Sequence, residues 1–378
     1  MTARLLAKLE DFRLLPVFVV VSMAIGIAIG NVLSISDFAL TPPIEAIKSI
    51  AGGTFELSVP SAISLGVPIG LFMMMYPAMT NVRLGEIGRA FRSPRQLAVV
   101  LGFNFLVAPF FMLLLANVFV ADPELRTGLI LYGLAPCIAM VIIFTYLAKG
   151  NTPMALVFVA LNSVIQMLLI PVYARLLIGD VSFDVAVVGE SVILYLGLPL
   201  LLGVLTRMLV VRRGGEAAMD RLKPGLNALS ILGLLFTLIV MFSLKGDLIL
   251  QRPAIVLEMA IPMALFFVVM FSVVYVVSAR LGFSYEDGVA VAFNATGRDF
   301  EIAIAIAITA FSPTVALATV VGPLIEVPVM LALVWGAMRF RARLFDRAAE
   351  ADVLKPVPGV ATDLRVAVEP VLEASDAD

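Results

Sequence analysis

Three ionisable residues, Arg298, Asp299 and Glu301, interrupt the middle of an otherwise apolar run, and Glu326 stands in the apolar run that follows. Where hydrocarbon surrounds such a run, each charge costs about 2.5–3.5 kcal/mol at mid-depth, so residues of this kind are rare without a task. An arginine beside two acids makes those acids titrate separately, and a carboxylate tuned in this way loads and releases protons. The competing reading is a structural ion pair of Arg298 with Asp299 or with Glu301. Glu326, between Pro323 and Pro328, is either a third proton-handling acid or an acceptor for backbone that the prolines free.

Cys137 is the single cysteine, so no intramolecular disulfide exists. A lone cysteine is commonly a small inert hydrophobe. Here it follows Pro136, which breaks a helix by removing a hydrogen-bond donor. A thiolate at such a point is a soft ligand for a soft substrate. A single thiol also binds reversibly, where several would trap the cargo. Asn294 and Thr296 precede Arg298 in the second interrupted stretch and complete a candidate binding set of Cys137, Glu301, Asn294, Thr296 and Arg298. Candidate coupling acids are Glu301, Asp299 and Glu326. Asn104, Asn162 and Gln166 could line the same chamber, although single amides often serve as interhelical glue. Asn294-Ala295-Thr296 also matches a glycosylation sequon, a chance match at this depth. No histidine occurs, which excludes imidazole metal sites and histidine-based catalytic triads, and no phosphate-binding glycine loop is present. The chain reads as no enzyme and needs no cofactor.

These residues must be positioned by membrane helices. Of 378 residues, 61% are hydrophobic and 14% charged, against about 25% charged in soluble domains. The net charge of −2 gives nucleic acid no basic surface. With about 20 apolar residues per crossing, the sequence predicts an all-α integral membrane protein of ten spans. They are Leu14–Leu33, Ser58–Asn81, Leu97–Val120, Leu125–Ala148, Met154–Ile178, Val185–Leu205, Gly225–Leu244, Ala254–Ala279, Tyr285–Phe311 and Thr314–Met338. Lysine and arginine concentrate before the first span and in Arg83–Arg95, Arg207–Lys223 and Arg339–Arg347, all on the side of the termini. The positive-inside rule places both termini in the cytoplasm. Residues 346–378 turn polar and acidic and read as a disordered tail.

Five spans on each side of Arg207–Lys223 suggest two halves. At an offset of 160 residues Pro153 falls on Pro313, Ile165-Gln166 on Ile325-Glu326, and Pro136-Cys137 on Thr296-Gly297. Halves of five spans lie in opposite orientations, and interrupted helices at matching positions point to a transporter's substrate site. The division reads as residues 1–210 for the first repeat plus the sixth span and 211–345 for the rest of the second, in a single membrane domain. Gly26/Gly30 and Gly66/Gly70 are small-residue pairs that let helices approach closely.

The runs Pro136–Ile142, Phe300–Ala305 and Val321–Pro328, with Met73–Pro77 and Ala148–Gly150, closely resemble the arsenical-resistance family of arsenite efflux permeases. The resemblance runs from about Ser64 to Phe345. It implies two inverted five-helix repeats with two broken, crossing helices, the fold of the bile-acid:sodium symporters. It further implies proton-driven export of trivalent arsenic or antimony across the cell inner membrane, with Cys137 and Glu301 as essential positions. Three departures cluster at the expected site. Pro136 stands where the family usually has arginine, Phe144-Thr145 where it has Trp-Asn, and Gly297-Arg298-Asp299 where it has Ser-Asn-Asn. The alternative is a sodium-coupled symporter of an organic anion, for which Arg298 would suit the anion. Ala295, however, replaces the sodium-binding carboxylate of the bile-acid branch. The expected partners are the lipid bilayer, a small inorganic or organic solute, and protons or sodium.

Overall fold

The computed structural model describes residues 15–33, 59–80, 93–138, 140–179, 181–251 and 253–346. The basic residues Arg4, Lys8 and Arg13, the loop Arg83–Arg92 and the acidic tail beyond Asp346 lie outside the described residues.

Among the described residues every regular element is helical. In chain order they are α1 (Leu15–Leu33), α2 (Val59–Thr80), α3 (Pro94–Phe119), α4 (Pro123–Leu134), α5 (Met140–Leu147), α6 (Thr152–Leu177), α7 (Val185–Val192) and α8 (Leu198–Gln251). There follow α9 (Pro253–Arg280), α10 (Tyr285–Thr296), α11 (Phe300–Ala310), α12 (Pro313–Val320) and α13 (Gly322–Arg341). Among the described residues, five helical stretches are long and apolar enough to cross a membrane: Pro94–Phe119, Thr152–Leu177, Val185–Val240, Val256–Arg280 and Gly322–Phe345. Their outward faces are apolar. On α3 the exposed residues Leu106, Phe110, Leu114 and Val118 recur every four positions, as do Leu168, Val172 and Leu176 on α6. Such stripes are stable against lipid and would be a liability in water. The protein is a multi-pass membrane protein.

The stretch Arg207–Lys223, expected as a connecting loop, is helical on both sides of one residue. Gly215 has φ 68° and ψ −175°, a conformation open to glycine and strained for other residues. Without that break the 54 residues of α8 would run about 80 Å at 1.5 Å per residue, far beyond a hydrocarbon core of about 30 Å. Arg207 and Glu216 pair across the break at 2.8 Å. Both limbs pack on α2. Tyr76 bonds Thr206 at 2.9 Å from one limb, and Ser230 of the other donates to the Met74 carbonyl at 3.0 Å.

The small-residue pairs seat α1 and α2 on the second limb. A Cβ at Gly26 would lie 2.6 Å from the Ile239 oxygen, and one at Gly66 2.9 Å from Val240 Cγ2. At Gly30 and Gly70 it would collide with the Ser243 carbonyl and the Thr237 hydroxyl. The close-packing expectation for all four glycines holds.

Candidate functional site

Two interruptions, not continuous spans, form the centre of the molecule. Pro136 has no N–H and disfavours helical geometry at Ala135, and Ala135 is extended, at φ −101° and ψ 108°. The second interruption, Gly297 to Asp299, is extended as well. The two segments run antiparallel and pair, with Pro136 facing Arg298. Cys137 N–H donates to the Gly297 carbonyl at 3.0 Å, and Asp299 N–H donates to the Ala135 carbonyl at 2.8 Å. Unwound backbone at membrane depth must find partners within the protein, and each break supplies them to the other. Gly297 is required for space: a Cβ there would strike Val141 and sit 3.1 Å from Cys137 Cβ.

Helices α4 and α10 end at Leu134 and Thr296, and α5 and α11 open at Met140 and Phe300, so each interruption separates two helix ends.

Four helix ends meet at this crossing, and side chains complete it according to their charge. Helix N-termini carry partial positive charge and C-termini partial negative charge. Asp299 caps α11, its Oδ1 accepting from Ile302 N–H at 3.0 Å. Arg298 lies at the two C-terminal ends. Its guanidinium donates to the carbonyls of Gly133 at 3.3 Å, Ala295 at 2.8 Å and Thr296 at 3.2 Å, and to Asn104 Oδ1. Arg298 is fully buried, with the Phe266 ring 5.5 Å from the guanidinium carbon.

The ion pair expected between Arg298 and Asp299 or Glu301 therefore does not form. Successive side chains of extended backbone point to opposite sides, so Asp299 turns toward α11 while Arg298 turns toward α4 and α10. Glu326 of α13 is buried and joins three elements. Its Oε1 accepts from the Arg298 backbone N–H at 3.3 Å and its Oε2 from Tyr132 O–H at 2.6 Å. Cys137 is buried at the bridge, next to Pro136 and bonded through its backbone to Gly297. The structure thus brings Cys137, Arg298, Asp299, Glu301 and Glu326 to one place, with Asn294 and Thr296 on the last turn of α10.

Among the described residues, several buried polar atoms have no hydrogen-bond partner in the protein: Asn294 Oδ1, Thr296 Oγ1 and Asp299 Oδ2 at the crossing, and all four amide atoms of Asn162 and Gln166 on α6. Asn294 Nδ2 turns back to the Ala290 carbonyl at 2.9 Å. The residue is fully buried, which makes its sequon a coincidence. One participant escaped sequence reasoning. Tyr132 reads as an ordinary aromatic, its one signal being its place a turn before Pro136. Asn104, singled out in the sequence as an amide that could line the chamber, does bond Arg298, and it sits in a π-helical turn, Gly102–Val107, a distortion frequent at functional sites. The Ala148–Gly150 motif supports the crossing from outside: Lys149 takes φ 58°, and the Ala148 carbonyl accepts from Tyr285 O–H at 2.8 Å at the start of α10.

Comparison with known proteins places this architecture. Residues 68–252 match the sodium bile acid symporter family. The arsenical-resistance protein Acr3 of Corynebacterium glutamicum is 34% identical over 349 residues, covering 88% of this chain and 90% of the relative. The chain belongs to the arsenical-resistance permease family. Acr3 of Alkaliphilus metalliredigens is 32% identical over 339 residues, covering 85% of this chain and 90% of the relative. An uncharacterized transporter of Synechocystis sp. is 32% identical over 347 residues, covering 85% and 87%. Family membership makes the protein a transporter and not an enzyme, and the paired interruptions are its candidate translocation site.

Proposed function

We propose that the protein exports trivalent arsenic and antimony from the cytoplasm in exchange for protons. In this reading ten spans form two inverted five-helix repeats in the cell inner membrane, with both termini cytoplasmic. The two arsenical-resistance relatives support the substrate class. The observation that carries the reading to this chain is the placement of the one thiol at the crossing of the interruptions, among three buried carboxylates.

The chemistry follows from that placement. Arsenite at neutral pH is the uncharged trihydroxide. The Cys137 thiol displaces one hydroxyl, which leaves as water with the thiol proton, and an arsenic–sulfur bond forms. Water reverses the step on the opposite side, so a single thiol holds the cargo without trapping it. Glu301 opens α11 one turn from the bridge. We assign it the proton exchanged during the cycle, with Asp299 and Glu326 setting its surroundings. Asn294, Thr296 and Arg298 contribute polar lining at the end of α10. The family's usual arginine position, Pro136 here, faces Arg298 across the bridge. A guanidinium thus enters the same crossing from the opposite segment.

Arsenite resistance of cells producing Cys137→Ala or Cys137→Ser tests the ligand. Both proteins should reach the membrane in normal amount, and resistance should fall to that of cells without the transporter. Undiminished resistance with either variant removes the thiol from the mechanism.

A further inference from the structure

The environment of Arg298 differs from that of an ordinary buried arginine. Its guanidinium nitrogens reach four neutral oxygens, the carbonyls of Gly133, Ala295 and Thr296 and the side chain of Asn104, drawn from α3, α4 and α10. Among the described residues none of its guanidinium bonds goes to a carboxylate. Glu326 meets only the backbone amide of the residue. A buried charge without compensation costs several kcal/mol. Here the groups bonded to the guanidinium are carbonyls of two helix C-termini, which carry partial negative charge, with the face of Phe266 beside it and the carboxylate of Glu326 close by at the backbone amide. Carbonyls of unwound backbone and of half-helix C-termini are the groups that coordinate sodium in transporters with discontinuous helices.

We propose that these four oxygens form a monovalent-cation site that the protein closes with its own guanidinium, so that Arg298 is a tethered, non-exchanging substitute for an alkali-metal ion. The oxygens satisfy one positive charge in either case. A tethered cation cannot dissociate, and a sodium gradient then has nothing to act on at this site. The inference rests on the reading of the crossing as the core of a transporter and is independent of which solute is carried. Removing the guanidinium should uncover the site. Arg298→Ala leaves the four oxygens around a vacant space, which sodium or potassium can enter.

The test measures thermal unfolding of the full-length protein in detergent, without transport substrate. Sodium, potassium and choline chlorides are compared at equal ionic strength. Wild type should melt at one temperature in all three. Arg298→Ala should melt lower in choline and recover saturably in sodium or potassium, by a shift of about 1–3 °C at saturation for a chain of this length. Guanidinium at low millimolar concentration should rescue it as well, and Arg298→Lys, which keeps a tethered cation, should be as indifferent to salt as wild type. An Arg298→Ala protein that folds and responds to none of these cations overturns the proposal. If that variant is unfolded in every salt, wild type decides: a saturable rise of its melting temperature in sodium over choline overturns the proposal, and none upholds it. Because no arsenite enters the assay, its outcome is separate from the fate of the substrate assignment.

Discussion

Tyr132 and Glu326, 194 residues apart, are joined by a buried hydrogen bond of 2.6 Å. It ties α4, which leads into the first interruption, to α13. Through the second oxygen of Glu326 it also reaches the backbone of the other interruption. Gly322 leaves room for the ring, since a Cβ there would lie 2.8 Å from Tyr132 Cε2.

Tyr132→Phe keeps the ring and removes the donor, leaving a buried carboxylate oxygen without its partner. Such a loss costs about 1–3 kcal/mol. The variant should melt measurably below wild type in detergent, and an unchanged melting temperature would show that the bond contributes nothing.

How much of this was legible in the sequence depends on what each residue touches. The interruptions stand out because Pro136 and the run from Asn294 to Glu301 break apolar helices, and those signals are local. The partners of Arg298 were not legible. Three are backbone carbonyls, which leave no mark in a sequence, and adjacency favours Asp299, which extended geometry turns away. Tyr132 needs a partner 194 positions distant to acquire a role. Arg207–Lys223 reads as a loop from its charge, but its residues are good helix formers and only Gly215 reverses the path.

Asp299 separates capping from ion pairing. Asp299→Asn retains an oxygen that can accept from Ile302 N–H, and should change stability by a few tenths of a kcal/mol. Asp299→Ala loses the cap and should cost about 1 kcal/mol. Chemical denaturation of both variants in mixed micelles checks the order. Equal and large losses would return Asp299 to the role of a counter-ion.

Gly297→Ala should disrupt the crossing, because the new methyl meets Val141 and Cys137 across the bridge. Gly179→Ala, with nothing within 4 Å of its Cβ position, is the matched control. The recovery of monodisperse protein by size-exclusion chromatography should fall for the first and hold for the second. Equal recovery would mean that the interruptions do not pack as described.

Orientation is checked by cysteine labelling, since Cys137 is buried. Arg95→Cys and Arg213→Cys should react only with reagents admitted to the cytoplasm. Ala121→Cys, at the other end of α3 from Arg95, should react from outside intact cells. The reverse pattern would invert the topology.

Coupling through Glu301 is the central claim, and gradient-driven flux tests it most directly. Everted vesicles containing wild type or Glu301→Gln are loaded with arsenite in the medium, and a pH gradient or a sodium gradient is imposed separately. An amide copies the shape of the protonated acid and cannot release a proton. Wild-type vesicles should therefore accumulate arsenite under the pH gradient alone, and Glu301→Gln vesicles under neither. Accumulation that follows sodium and ignores pH, or full pH-driven accumulation by Glu301→Gln, would contradict the account.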